Sequence, residues 1–354
     1  MKYLIVQEWE NTKDNHAGMK HMCDLLVEHY PENYKEIVKS APEQMHRRSN
    51  RIFAKLFYSF DRKKYISQIR EQYRQDYLRI CKPMFENLKT DDEVFLLEYN
   101  LDEAPQYDLA VYIKNNFPNV KIYALSHLTP SNIKIKNIEK NILEWDKVID
   151  KELTLGTSLS SYFEYLGIPR SKISTGFHYV DLDYYHPQNT IQKKDRLTVI
   201  ALGNMQRDYS LLSSVVKNCP NVNWIICGGV RDLTGVFPQG DNVVIKGFMS
   251  EEELRYQMEI SDVSINVMTD TVGSNVITTS LSMGLGLIVT DVGSIRDYCT
   301  EENALFCDNS VESICAAVRK LVDSPELVER MKSNSLAVSK RLSISGINAW
   351  FDSL

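Results

Sequence analysis

Four short segments each follow an apolar run and carry groups able to hold an anion, a planar ring or a proton. In Gly203-Asn204-Met205-Gln206-Arg207-Asp208-Tyr209, the planar fork of Arg207 suits phosphate oxygens, with Gly203 and Asn204 in the same loop. The competing reading is a surface arginine paired with Asp208. In Gly273-Ser274-Asn275-Val276 through Gly284, Ser274 or Asn275 can cap a short helix that closes at Gly284. Its free amides and positive dipole end would favour a diphosphate, although many capped helices bind nothing. In Lys246-Gly247-Phe248, Gly247 lets backbone approach a planar ligand and Phe248 can lie beside a base, while Ser250 and Glu253 form a capping box. The fourth segment, Leu125-Ser126-His127, puts a histidine at a strand end, where it is either structural or part of a site.

These segments have to be positioned by strands and helices, and the second half of the chain supplies them in regular order. Short β-branched runs at 197–202, 223–227, 243–246, 263–267, 287–290 and 304–307 alternate with helical patterns near 208–217, 250–260, 275–283 and 311–322. The first half repeats the rhythm with strands at 2–7, 94–99, 121–126 and 172–176 and helices near 18–29, 107–116 and 157–166. A helical insertion at about 44–85, read as two helices broken near Asp61, interrupts it. The polar run 186–194 reads as a hinge. The expectation is an α/β protein of two Rossmann-like domains, 1–187 and 188–340, facing across a cleft, with ligands beyond the carboxyl ends of the strands.

At 354 residues, 43% hydrophobic and 25% charged, the chain is long enough for two cores and has no disordered composition. No apolar stretch reaches membrane-spanning length, and Met1–Val6 is too short for a signal peptide. Seven scattered cysteines without a C-x-x-C pair suit reduced thiols, so a cytoplasmic location is expected. The net charge of −6 is uneven: between His46 and Lys82, eleven Arg or Lys oppose three acids. This basic, aromatic stretch, with Phe53, Phe57, Tyr58 and Phe60 among the charges, is either a solvated helix pair or a surface, about 47–82, for anionic lipid at the inner face of a membrane. Nucleic acid is not the expected partner.

From about Thr154 to Arg296, the order of motifs resembles that of family 4 glycosyltransferases with the GT-B fold. Gly176-Phe177-His178-Tyr179-Val180-Asp181 through His186-Pro187 is similar to the family's turn before the linker, and Gly203 through Tyr209 to its phosphate loop. Lys246-Gly247-Phe248 resembles the base-binding turn, and Met283-Gly284 through Asp297 the motif that ends in glutamate.

This resemblance implies transfer of a sugar from a nucleoside diphosphate to a glycan or lipid-linked acceptor, with retention, in cell-surface polysaccharide or glycoconjugate synthesis. It also implies a first-domain loop near the donor, here His16-Ala17-Gly18-Met19, and a final helix, 341–354 with Trp350 and Phe351, returning to the first domain. Arg207 and the amides at Ser274-Asn275-Val276 would offset the leaving diphosphate's charge, so neither metal nor cofactor is expected, and Asp181-Leu182-Asp183 reads as a cap rather than a metal motif. The family's glutamate pair falls on Thr271 and Thr279; Asp270 stands beside the first, and Thr279 offers a ribose only a hydroxyl. Two rivals follow: a non-catalytic module that binds a nucleotide sugar or a partner, and a sugar-nucleotide epimerase.

Overall fold

The structure is a computed structural model that describes residues 1–9, 15–40, 62–99, 106–188 and 196–354, with the backbone alone at 62–69. It divides into two compact units. Met1–Leu128, Asn132–Thr154 and Ser160–Thr175 form the first; Thr129–Ser131, Leu155–Leu159 and Gly176–Leu354 form the second.

In chain order the first part runs β1 (Lys2–Gln7), α1 (Met19–His29), β2 (Tyr34–Lys39), α2 (Arg62–Ile80), α3 (Lys82–Phe85), β3 (Glu93–Leu96), α4 (Gln106–Asn116) and β4 (Lys121–Ser126). It continues through α5 (Pro130–Lys136), α6 (Glu139–Trp145), β5 (Lys151–Thr154), α7 (Thr157–Leu166) and β6 (Ile173–Thr175). The six strands are parallel in the order β2-β1-β3-β4-β5-β6. Strand alternation sends Tyr3, Ile5, Val94, Leu96, Ile122 and Ala124 to one face, where they pack with Tyr73 and Tyr77 of α2 and Leu109, Ala110 and Ile113 of α4. Arg70 fixes α2 to α4 through a two-pronged pair with Asp108 at 2.8 and 2.9 Å. The second half of the expected insertion is therefore a core-facing helix; residues 41–61, including the expected first helix and most of its basic and aromatic side chains, lie outside the described residues.

The second sheet starts with β7 (Thr198–Leu202), followed by α8 (Tyr209–Asn218), β8 (Asn223–Cys227), β9 (Val243–Lys246), α9 (Glu251–Glu259) and β10 (Val263–Asn266). Then come α10 (Asn275–Ser282), β11 (Gly286–Thr290), β12 (Ala304–Cys307), α11 (Val311–Asp323), α12 (Pro325–Ser339) and α13 (Ile344–Asp352). All six strands are parallel, in the order β12-β11-β10-β7-β8-β9. Val199, Ala201, Trp224, Ile226, Val263 and Ile265 make a core with α8, α11 and α12.

The turn 176–187 belongs to the second unit, and so does α13, whose Trp350 covers Gly176: a Cβ there would stand 2.3 Å from the indole ring. All seven cysteines are buried and unpaired. No described helix is long and apolar enough to cross a membrane.

Candidate functional site

In the second sheet the strand order reverses between β7 and β10, which is where the chain returns to the centre after building β8 and β9. Doubly wound sheets hold ligands at the carboxyl end of such a reversal. Here that end carries Gly203-Asn204 after β7 and Asn266 at the end of β10, with Arg207 bridged to Met268 between them. The Nε–H of Arg207 donates to the Leu202 carbonyl at 3.2 Å and Nη2 to Oδ1 of Asn266 at 3.1 Å. Asp208 is not its partner, contrary to the competing surface reading: that carboxylate caps α8 by accepting the Leu211 N–H at 2.9 Å. Arg207 is half-buried and has no carboxylate partner among the described residues; desolvation pulls its guanidinium down to about 10. A cation drawn out of water and held only by neutral dipoles favours an incoming anion.

Helix α10 opens toward the same loop. Ser274 is its N-cap in extended backbone, and its hydroxyl accepts the Ile277 N–H at 3.4 Å. The N–H groups of Asn275 and Val276, in the first turn, have no acceptor among the described residues. Gly203 joins the two features. It holds φ +80°, and a Cβ added there would lie 3.2 Å from Cγ2 of Val276 and 3.8 Å from Nη2 of Arg207. Its carbonyl accepts the Tyr209 hydroxyl, so the loop is tied down at its start. Gly273, at φ +92°, has no room for a side chain because Tyr298 occupies the place a Cβ would take.

Between loop and helix lies a polar knot that no sequence spacing discloses. Gln206 is in left-handed backbone at φ 54° and donates through Nε2 to the hydroxyls of Thr129 and Ser131, both at 3.3 Å, while its Oε1 accepts the Thr269 hydroxyl at 2.8 Å. Asp270, expected near a donor sugar, directs its two oxygens to backbone: Oδ1 accepts the Thr271 N–H at 2.8 Å and Oδ2 the Ser131 N–H at 3.0 Å. It is a positioning group first. Thr271 closes its own turn by accepting the Gly273 N–H at 3.0 Å. The Thr279 hydroxyl donates to the Asn275 carbonyl at 2.7 Å, so its proton serves the helix and only a lone pair is left for a ribose.

After β8, Gly228-Gly229 brings backbone beside Asn204, and Arg231 lays its guanidinium 4.9 Å from the Tyr209 ring. This second cation, an exposed one, is absent from the sequence-based expectations; the Gly-Gly pair following a strand is its one signal in the chain. After β9, nothing lies within 4 Å of a Cβ built on Gly247, and Phe248 is 65% exposed, a large apolar face left open among the described residues. Ser250 caps α9 by accepting the Glu253 N–H at 3.2 Å, but Glu253 turns to Lys246 and Gln257 instead of closing the box. Asp181 caps its own turn through the Asp183 and Tyr184 N–H groups at 3.0 and 3.2 Å.

The remaining expected residues lie in the first unit. His127 follows β4, and its Nε2 is 2.7 Å from the Leu97 carbonyl, which can only accept, so the proton sits on Nε2. Burial pushes the carboxyl of Glu98, just beyond β3, up, and the neighbouring His127 and the Trp9 N–H work against that rise. Gly18 is the N-cap of α1, and His16 stacks edge-on against His21 with ring centroids 4.4 Å apart.

Residues 186–337 match the model of the family described as glycosyl transferases group 1. The chain is similar in structure to a sucrose-phosphate synthase from Thermosynechococcus elongatus, with TM-score 0.72 and 11% identity over 100% of this chain and 98% of that one. It is also similar to a glycosyltransferase from Rickettsia africae, with TM-score 0.68 and 12% identity over 99% and 97%. The Anabaena protein Alr3699/HepE, solved in complex with UDP and glucose, gives TM-score 0.68 and 11% identity over 100% and 98%. No curated protein sequence matches the chain. The two α/β units on parallel six-stranded sheets are those of the GT-B fold class.

Proposed function

We propose that this chain, which carries a group 1 glycosyl transferase domain over residues 186–337, moves a sugar from a nucleoside-diphosphate donor to a hydroxyl of a glycan or lipid-linked acceptor. The observation that carries the reading is Arg207, a half-buried guanidinium opposed, among the described residues, by the Asn266 amide and the Leu202 carbonyl and by no carboxylate. Its loop packs beside the unpaired amides that open α10.

When the sugar leaves, negative charge grows on the diphosphate. A guanidinium and backbone dipoles already in place stabilise that charge without reorganising. On this reading the reaction needs no divalent cation, and the stereochemistry is retained. Phe248 supplies a ring face for the base, Gly247 the open backbone beside it, and Arg231 a second cation at the rim. On the same reading the chain works in polysaccharide or glycoconjugate assembly on the cytoplasmic side of a membrane. Incubation with a panel of nucleotide sugars and short glycans tests all of this. Transfer that survives EDTA, with the anomeric configuration of the donor kept in the product by NMR, is the expected result.

One observation favours a second reading. Thr271 and Thr279 stand where the resembling family has carboxylates, and both hydroxyls are engaged within their own turn or helix. A binding module on the same fold would be stabilised by the nucleotide sugar and show no turnover.

A further inference from the structure

The first sheet also reverses direction, between β1 and β3. β3 ends at Leu96 and the chain turns at 97–99, while β1 and β4 run on to Gln7 and Ser126. Alternation places Gln7 on the face of Tyr3 and Ile5, and Ser126 on the face of Ile122 and Ala124, the face covered by α2 and α4. Lys39, at the end of β2, stands opposite Gln7 in register. Its ammonium lies 3.9 Å from the centre of the Tyr73 ring and 5.7 Å from that of Tyr77.

These end residues are buried, with exposures of 2% for Gln7, 0% for Ser126 and 4% for Lys39, and the polar side-chain atoms of Gln7 and Ser126 go unused. Neither amide atom of Gln7 nor the Ser126 hydroxyl has a hydrogen-bond partner among the described residues. Lys39 has no carboxylate within salt-bridge distance among them; burial lowers its ammonium below the ordinary lysine value, and beyond the Tyr73 and Tyr77 faces the charges of Asp76 and Arg79 act on it in opposite senses. A buried polar group without a partner is destabilising, and native folds keep few of them without a reason. Two such side chains beside a buried lysine, at the carboxyl edge of a parallel sheet and next to its reversal, describe a site waiting for a ligand.

The ligand's chemistry follows from these three side chains. A primary amide offers both donors and acceptors, a serine hydroxyl one donor and two lone pairs, and the lysine a cation. With strands about 4.8 Å apart, Lys39 and Ser126 are separated by three spacings, about 14 Å, enough for one or two sugar rings and a charged substituent. We propose that Gln7, Ser126 and Lys39 bind a sugar carrying an anionic group, with the hydroxyls on Gln7 and Ser126 and the phosphate or carboxylate on Lys39. Calling this sugar the acceptor rests on the function proposed above; the binding itself does not.

Titration calorimetry on the full chain tests it with glucose 6-phosphate, glucuronate, glucose and inorganic phosphate, each with and without saturating UDP. At least one of the two charged sugars should bind tenfold or more tighter than glucose; which one tells phosphate from carboxylate. Lys39→Met should bring it down to the level of glucose. Gln7→Met and Ser126→Ala should weaken it at least tenfold while leaving Tm unchanged or higher, because an orphaned polar group has been removed. UDP affinity should stay constant in all three variants. Absence of binding by both charged sugars would overturn the proposal, as would binding indifferent to the three substitutions, or a Tm lowered by several degrees in Gln7→Met. If UDP binds and the charged sugars do not, this site falls and the donor reading stands. If a charged sugar binds and UDP does not, the donor reading falls and this site stands.

Discussion

Nη2 of Arg207 donates to Oδ1 of Asn266 at 3.1 Å, so the guanidinium at the β7–β10 reversal is matched with a dipole and not with a charge. A protein that only needed to shelter this arginine from water would gain by placing a carboxylate there. The neutral partner keeps the cation oriented while leaving its charge for something else.

Asn266→Asp puts that carboxylate in place. It should hold or raise Tm and weaken UDP binding about tenfold, because the phosphate must now displace an internal ion pair. Calorimetry and a thermal melt on the same sample separate the two effects.

Phe248 has almost no packing to lose. Phe248→Ala should leave urea stability within about 0.5 kcal/mol of the parent. If its ring receives a base, the same change should weaken UDP binding by about 1–3 kcal/mol, the scale of base–aromatic stacking. Equal UDP affinity in parent and variant would remove Phe248 from the site.

Gly273 combines φ +92° with a Cβ position 2.3 Å from the Tyr298 ring. Gly273→Ala should therefore cost about 2–4 kcal/mol in urea unfolding, from backbone strain and overpacking together. Gly247→Ala is the control, since nothing lies within 4 Å there, and it should be nearly neutral.

Glu36, on β2, is held above its ordinary 4.5 at about 7 by burial and by the charge of Asp24. Between those two values the folded chain binds more protons than the unfolded one, so stability falls as pH rises through that window. Glu36→Gln should flatten this slope. Its Tm should exceed that of the parent by about 2–4 °C at pH 8, with the difference shrinking toward pH 4.5. Parallel melting curves at all pH values would show that Glu36 does not contribute.

The centre of the second sheet is legible in the sequence because its inner strands are buried on both faces and appear as unbroken apolar runs, as in Val199-Ile200-Ala201-Leu202. Two strands of the first sheet are not, for the opposite reason. Tyr34-Lys35-Glu36-Ile37-Val38-Lys39 lies at an edge, and Lys151-Glu152-Leu153-Thr154 is short and mostly polar, so neither has the expected pattern. Helix α12, at Pro325–Ser339, is hidden as well; polar residues interrupt its apolar stripe. Loop identities at the site are legible because Gly, Ser-Asn and Arg each follow a strand. Their pairings are not. Asp208 is the natural partner for Arg207 in sequence, and only the fold shows it capping α8 and leaves Asn266 to the arginine. That Gln7 and Ser126 go unpaired depends on what surrounds them in space, and no spacing along the chain encodes it.

If Arg207 and the opening turn of α10 hold a diphosphate, the loss of one guanidinium must be felt by the phosphates and not by the nucleoside. Calorimetry with UDP and with uridine, on the parent and on Arg207→Met, separates the two. The variant should melt like the parent, lose about 1.5–3 kcal/mol of UDP binding and bind uridine as before. UDP affinity unchanged by the substitution, or lost equally for UDP and uridine, would contradict a diphosphate at this place.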